Sequence, residues 1–275
     1  MIKDLLINLA VGVGEDATVD YALSLAGAFE AHAAAVAFAY EAVPPAMLTD
    51  DVPPTWIDEF RQEAEAAAKA AVARFEAAAR RAGVAAEARW AETSFVGTAD
   101  AFGRLARRFD LSVVRQAEPR KNTPATLIIE AALFETGRPV VIVPYIQKGG
   151  LKLDRVMLAW DGGHSAARAI GDALPLLARA GMVEVVMVTE RDHADEMAGA
   201  EMAQHLARHG LKVEAKQIVA PDAKAGEILL SHAADSSADF LVMGGFGHSR
   251  LREFVLGGAT RSILEAMTIP TLMSH

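Results

Sequence analysis

The segment Asp239-Phe240-Leu241-Val242-Met243-Gly244-Gly245-Phe246-Gly247 decides the fold, together with Gly257-Gly258-Ala259-Thr260 ten residues further on. An apolar run of strand length passes into spaced glycines, and an amphipathic stretch resumes at Ala259. Strand, glycine-rich loop and helix in that order belong to an α/β domain with a parallel sheet. Glycines at a strand exit let a ligand approach the backbone closely, and a helix start offers unpaired N–H groups to an anion.

Working outward, the same pattern occurs earlier in the chain. Asp110-Leu111-Ser112-Val113-Val114 matches Asp239 to Met243, Arg138-Pro139-Val140-Val141-Ile142-Val143-Pro144 matches Ile269-Pro270-Thr271-Leu272-Met273, and Ile2 to Ala10 matches Leu153 to Trp160. Strands are expected at 3–11, 32–40, 84–90, 111–115 and 139–144, with helices at 16–30, 56–82, 97–109 and 123–136. The second half repeats the order, with strands near 153–160, 182–189, 211–219, 239–244 and 269–273 and helices near 164–180, 194–209, 222–236 and 258–267. Parallel strands with crossover helices are the economical solution. Gln147-Lys148-Gly149-Gly150 is the short polar link, so the expected domains are 1–147 and 151–275. Phe60, Ala64, Ala67, Ala71 and Phe75 form the apolar stripe of the long second helix, and Pro44-Pro45 through Pro53-Pro54 read as an irregular surface loop before it.

Composition limits the function. The 275 residues are 52% apolar and 6% aromatic, with net charge −9 and no cysteine. An acidic balance argues against broad nucleic-acid or anionic-membrane surfaces. The lack of cysteine removes disulfides, thiolate metal sites and Cys nucleophiles. The N-terminus reads as a strand rather than a signal peptide, and no apolar run approaches the ~20 residues of a membrane span. The expectation is a cytoplasmic protein with no membrane or nucleic-acid partner.

Other polar groups have plain alternatives. Glu201, His205 and His209 share a helix face and could hold a metal, but a solvated face explains them, and no metal site is assigned. His248 either touches phosphate or faces solvent. Arg250, Arg252 and Arg261 either neutralise phosphate or serve the surface. Trp160 either stacks on a base or belongs to the core. No Walker loop, nucleophile elbow or nucleophile–base set is present, so a dedicated catalytic activity is not expected.

The segment after Met243 resembles the universal stress protein family, whose nucleotide-binding members carry Gly-x2-Gly-x9-Gly-Ser/Thr. Gly244, Gly247 and Gly257 match, while Gly258 replaces the hydroxyl residue and Thr260 follows two residues later. The family's acidic residue at the end of the first strand is matched by Asp161, and Val188 matches its apolar adenine contact. The resemblance implies two Rossmann-like (flavodoxin-like) domains, each a five-stranded parallel sheet in order 3-2-1-4-5 with helices on both faces, paired about a pseudo-two-fold through their last strands. It implies ATP or a related adenine nucleotide in the second domain, with Mg²⁺ beside the triphosphate. Asp161 and Val188 would hold adenosine; Gly244, Gly247, Gly257 and Gly258 would offer backbone N–H groups; Ser249 and Thr260 would supply hydroxyls. The role implied is a stress-linked sensor or regulator, with intramolecular domain pairing, a homodimer and protein partners of unknown identity. Slow ATP hydrolysis is the most chemistry expected. The alternative is a nucleotide-free interaction scaffold.

The first half lacks spaced glycines after Val114, and Val11 or Gly14 is expected at the position of Asp161. It reads as a degenerate copy without a nucleotide site.

Overall fold

The structure, a computed structural model, describes residues 1–14, 16–41, 54–118, 123–190, 196–221, 223–246 and 258–275. The loop at 44–54 falls outside the described residues except for Pro54, and the basic pair Arg120-Lys121 falls outside them entirely.

The first half runs β1 (Asp4–Asn8), α1 (Ala17–Phe29), β2 (His32–Tyr40), α2 (Pro54–Ala82), β3 (Ala86–Thr93), α3 (Gly97–Ala106), β4 (Leu111–Arg115), α4 (Ala125–Phe134) and β5 (Val140–Val143). The second runs β6 (Arg155–Ala159), α5 (His164–Leu177), β7 (Met182–Thr189), α6 (Glu196–Arg208), β8 (Val213–Val219), α7 (Ala225–Asp235), β9 (Phe240–Gly244), α8 (Ala259–Ala266) and β10 (Thr271–Ser274). Each expected element is present, and most are a few residues shorter than the sequence pattern suggests.

The strands form one ten-stranded sheet in the order β3-β2-β1-β4-β5-β10-β9-β6-β7-β8. Each half therefore has the order 3-2-1-4-5, all parallel, and the halves join through an antiparallel β5–β10 pair. Val140-Val141-Ile142-Val143 is buried throughout, as expected of a strand covered on both faces. Prolines 139 and 270 precede the joining strands, where no ladder donor is required.

The two copies can be superposed from their hydrogen bonds. Asp110 Oδ2 accepts from the amides of Lys3 (2.8 Å) and Asp4 (3.1 Å). Asp239 Oδ2 accepts from those of Asp154 (3.0 Å) and Arg155 (3.4 Å). The same carboxylate thus fastens the same strand start in both halves. In the joining pair Val141 faces Leu272, and these two residues are counterparts, so the pseudo-two-fold passes between them.

Helices cover both faces. On one, Leu25 of α1, Phe75 of α2, Leu176 of α5 and Leu206 of α6 belong to one apolar cluster. On the other, Phe102 of α3, Ile128 of α4, Leu229 of α7 and Ile263 of α8 belong to a second. Both clusters run across the two halves, and burying each large side chain contributes roughly 1.5–3 kcal/mol. The stripe of α2 holds at Ala71 and Phe75, but Phe60 is exposed and stacks on Trp56 at 5.8 Å. The helix begins before the stretch where it lies on the sheet. No helix among the described residues is long and apolar enough to cross a membrane.

Candidate functional site

In each half the chain leaves the first strand toward one face and enters the fourth from the other. The crevice at the carboxyl ends of this adjacent pair is where open α/β sheets bind ligands. In the second half it lies between β6 and β9. The backbone leaves β6 through Trp160 and Asp161, turns at Gly162 with φ +74°, and starts α5 after Gly163. Asp161 is exposed, and its Oδ1 accepts from the Gly163 amide at 2.8 Å. Gly163, the N-cap of α5, has no side chain to cap the helix. Gly258, the N-cap of α8, is likewise without a capping side chain, with φ −73° and ψ 167°. At both helix starts the N-cap residue therefore offers no side chain to the first-turn amides, and both starts follow strands at the carboxyl end of the sheet.

Gly244 has a packing role here. A Cβ on it would come within 2.6 Å of the Ala166 amide nitrogen and 2.7 Å of the Ser165 carbonyl carbon. Only glycine lets the end of β9 pass against the first turn of α5. Thr260 is 4% exposed. Its Oγ1 accepts from the Phe246 amide at 3.0 Å, closing the two described ends of the glycine-rich segment. Phe246 has φ +50°, an uncommon conformation for a bulky residue.

The first-half crevice is filled. Through the shared register, Arg115 at the end of β4 takes the place of Gly244, and Ala10 takes that of Asp161. The sequence expectation of Val11 or Gly14 there is corrected to Ala10, because strand pairing fixes the alignment that turn lengths leave open. Arg115 reaches Glu118 at 2.8 Å and Asp16 at 3.5 Å, and these three side chains are between 10% and 19% exposed. Asp16 also caps α1, accepting from the amides of Thr18 and Ala10, each at 3.1 Å. A carboxylate thus already caps α1, the counterpart of α5 beside the second-half crevice.

The universal stress protein family model matches residues 152–275. The second half of the chain is thus similar to the universal stress protein family. A universal stress protein of Synechocystis sp. is 25% identical over 147 residues, 52% of this chain and 49% of the relative. The chain spans about half the length of the curated relative it matches. Among solved structures, a universal stress protein from Archaeoglobus fulgidus DSM 4304 superposes with TM-score 0.71 at 18% identity, covering 98% of this chain and 95% of that one. A putative universal stress protein from Pseudomonas aeruginosa UCBPP-PA14 gives 0.60 at 15% identity, covering 99% and 93%. At such identities the likeness shows the fold, and it extends over both halves.

Within the second half, the structure brings Asp161, Gly244 and the Gly258–Thr260 helix start to one end of the sheet. Val188 is partly buried near the end of β7, paired in register with Ile218. Gly247, His248, Ser249, Arg250, Arg252 and Gly257 lie outside the described residues. Trp160 is partly buried and packs against the core, its Nε1 buried and without a hydrogen-bond partner among the described residues. Arg261 pairs with Glu265 at 2.8 Å along its own helix. His205 and His209 meet edge to face at 4.9 Å, and no His, Asp or Glu trio able to hold a metal occurs among the described residues. Sequence reasoning missed Arg115 with Asp16, although aligning Asp110 with Asp239 places Arg115 on Gly244.

Proposed function

We propose that the chain comprises two domains, 1–147 and 151–275, and that the second binds ATP or a related adenine nucleotide at the β6/β9 crevice. Asp161 and Val188 hold the adenosine end. The backbone amides of the glycine-rich segment and of the Gly258–Thr260 helix start hold the phosphates, with Mg²⁺ accompanying a triphosphate. The chain then acts in the cytoplasm as a stress-linked sensor or regulator, through domain pairing, homodimerisation and protein partners.

The observation that carries this reading is the contrast between the two crevices. The second half leaves Asp161 exposed and its helix starts without side-chain caps, whereas Arg115, Asp16 and Glu118 fill the other. Amides at helix starts favour anions through unpaired N–H groups and the helix dipole. The first half is then structural or regulatory.

Calorimetric titration of the purified chain with ATP–Mg²⁺, after release and absorbance assay of any co-purified nucleotide, tests the reading. One nucleotide per chain is expected. Asp161→Ala removes an exposed side chain with one backbone bond, so affinity falls about tenfold or more while stability changes by less than about 1 kcal/mol. No binding at millimolar ATP, with no nucleotide released, would sink it.

One observation favours a second reading. Gly258 supplies no hydroxyl, and the Thr260 side chain is buried against the Phe246 amide. A site with this deficit fits a nucleotide-free scaffold that works through its surfaces, and the same titration separates the two.

A further inference from the structure

The described ends of the glycine-rich segment are held from the first half as well as the second. Phe246, with φ +50°, is fixed on one side by Thr260. On the other its ring lies 5.1 Å from that of Phe134, the last residue of α4. Phe134 also meets the His275 ring edge-on at 4.9 Å, and His275 Nδ1 lies 2.9 Å from the Gly245 carbonyl oxygen. The neighbouring Leu133 closes on Gly245, where an added Cβ would come within 3.1 Å of Leu133 Cδ2. The final turn of α4 therefore packs on both residues that lead from β9 into the glycine-rich segment.

The pseudo-symmetric side of the joint differs. Gln116, the counterpart of Gly245, donates through Nε2 to the carbonyl of Leu264 at 2.9 Å. Leu264 is the counterpart of Leu133, and the counterpart of Phe134 is Glu265, which pairs with Arg261. Among the described residues, the aromatic contact occurs on the side of the joint that borders the second-half crevice. A bulky residue at positive φ is strained and persists where its surroundings hold it, and the Phe134 ring is part of that hold.

We propose that Phe134 is a positioning residue for the Gly245–Phe246 strand exit and, through Thr260, for the start of α8 that faces the phosphates, so that the first half sets the affinity of the second. The inference rests on the nucleotide reading above. It also makes ATP binding sensitive to how the halves pack, because the ring belongs to one half and the strand exit to the other.

The test uses the full chain, titrated with ATP–Mg²⁺ and separately with adenosine. Phe134→Ala is expected to weaken ATP about tenfold while adenosine affinity stays within about twofold. Phe134→Tyr, which keeps the ring, is expected to restore ATP binding. Arg179→Ala is the control: Arg179 lies over Phe29 at 4.4 Å, joining the halves on the other face of the sheet, and its loss should leave the ATP-to-adenosine ratio unchanged. Unaltered ATP affinity in Phe134→Ala, or equal loss for ATP and adenosine, would overturn the inference while leaving nucleotide binding intact. Failure of the unsubstituted chain to bind ATP would overturn both.

Discussion

Arg115 stands at the strand position in the first half that Gly244 holds in the second, and its guanidinium reaches to 3.5 Å from Asp16. One position thus divides the copies: a long cation closes the first crevice, and the lack of a side chain lets the second form. Asp16 depends on Arg115 for charge balance in a largely buried setting. Arg115→Ala should cost about 1–3 kcal/mol by leaving a poorly solvated carboxylate with only its backbone donors. It should create no second nucleotide site, since Ala10 replaces Asp161 and Asp16 still stands at the start of α1. Chemical denaturation measures the first effect and binding stoichiometry the second; two nucleotides per chain would contradict the account.

Gly244 is expected to be intolerant for a steric reason that precedes any ligand. A methyl group there meets backbone atoms of Ser165 and Ala166 at 2.6–2.7 Å. Backbone cannot rotate aside as a side-chain end can, so α5 must shift from β9. Gly244→Ala should lower stability by about 1–3 kcal/mol, read as a lower thermal midpoint with nucleotide absent. A midpoint equal to that of the unsubstituted chain would mean that α5 accommodates the methyl group without cost.

The sequence made the repeat, the element order and the crevice legible, because each rests on local signals: strand-length apolar runs, prolines before the last strands, and glycines after Met243. What it left open were relations across the fold. Turn lengths could not align Ala10 with Asp161, since the two first turns differ in length and only strand register fixes the match. Phe60 fits a helical stripe that the sheet does not reach. Thr260 reads as a free hydroxyl until its bond to Phe246 is seen, and Phe134 is one apolar residue in an apolar helix until the halves are joined.

Asp239 should give the chain a measurable acid dependence. Burial raises its carboxyl above the ordinary range, and the amides of Arg155 and Asp154 offset this only in part. A raised folded-state value means that the folded chain binds the proton more tightly than the unfolded one. Between the unfolded value and the raised one, stability therefore falls as pH rises, and above it the full cost of the buried charge remains. Asp239→Asn keeps an oxygen to accept the two strand-start amides and removes the charge. Its thermal midpoint should lose this contribution across the mildly acid range. Asp239→Ala strands both amides and should cost about 1–3 kcal/mol at neutral pH. Superimposable midpoint-against-pH curves for Asp239→Asn and the unsubstituted chain would refute the assignment.

Gly258→Ser addresses the position where this chain departs most clearly from the nucleotide-binding pattern it otherwise follows. The backbone of Gly258, at φ −73° and ψ 167°, is extended and open to any L residue. Serine can enter there without backbone strain, and its hydroxyl can accept from an amide in the first turn of α8. As an N-cap, serine improves on glycine by only a few tenths of a kcal/mol, so the thermal midpoint without nucleotide should scarcely move. The larger effect belongs to the ligand. A hydroxyl donating to a phosphate oxygen is a hydrogen bond to a charged group, worth about 1.5–3 kcal/mol, which corresponds to roughly tenfold or more in affinity. ATP affinity should therefore rise by at least about that factor, while adenosine, which carries no phosphate, should bind as before. Equal gains for ATP and adenosine would place the effect in helix stability rather than phosphate contact. No gain for either would mean that the start of α8 does not face the phosphates, and the glycine-rich segment would lose its assigned role.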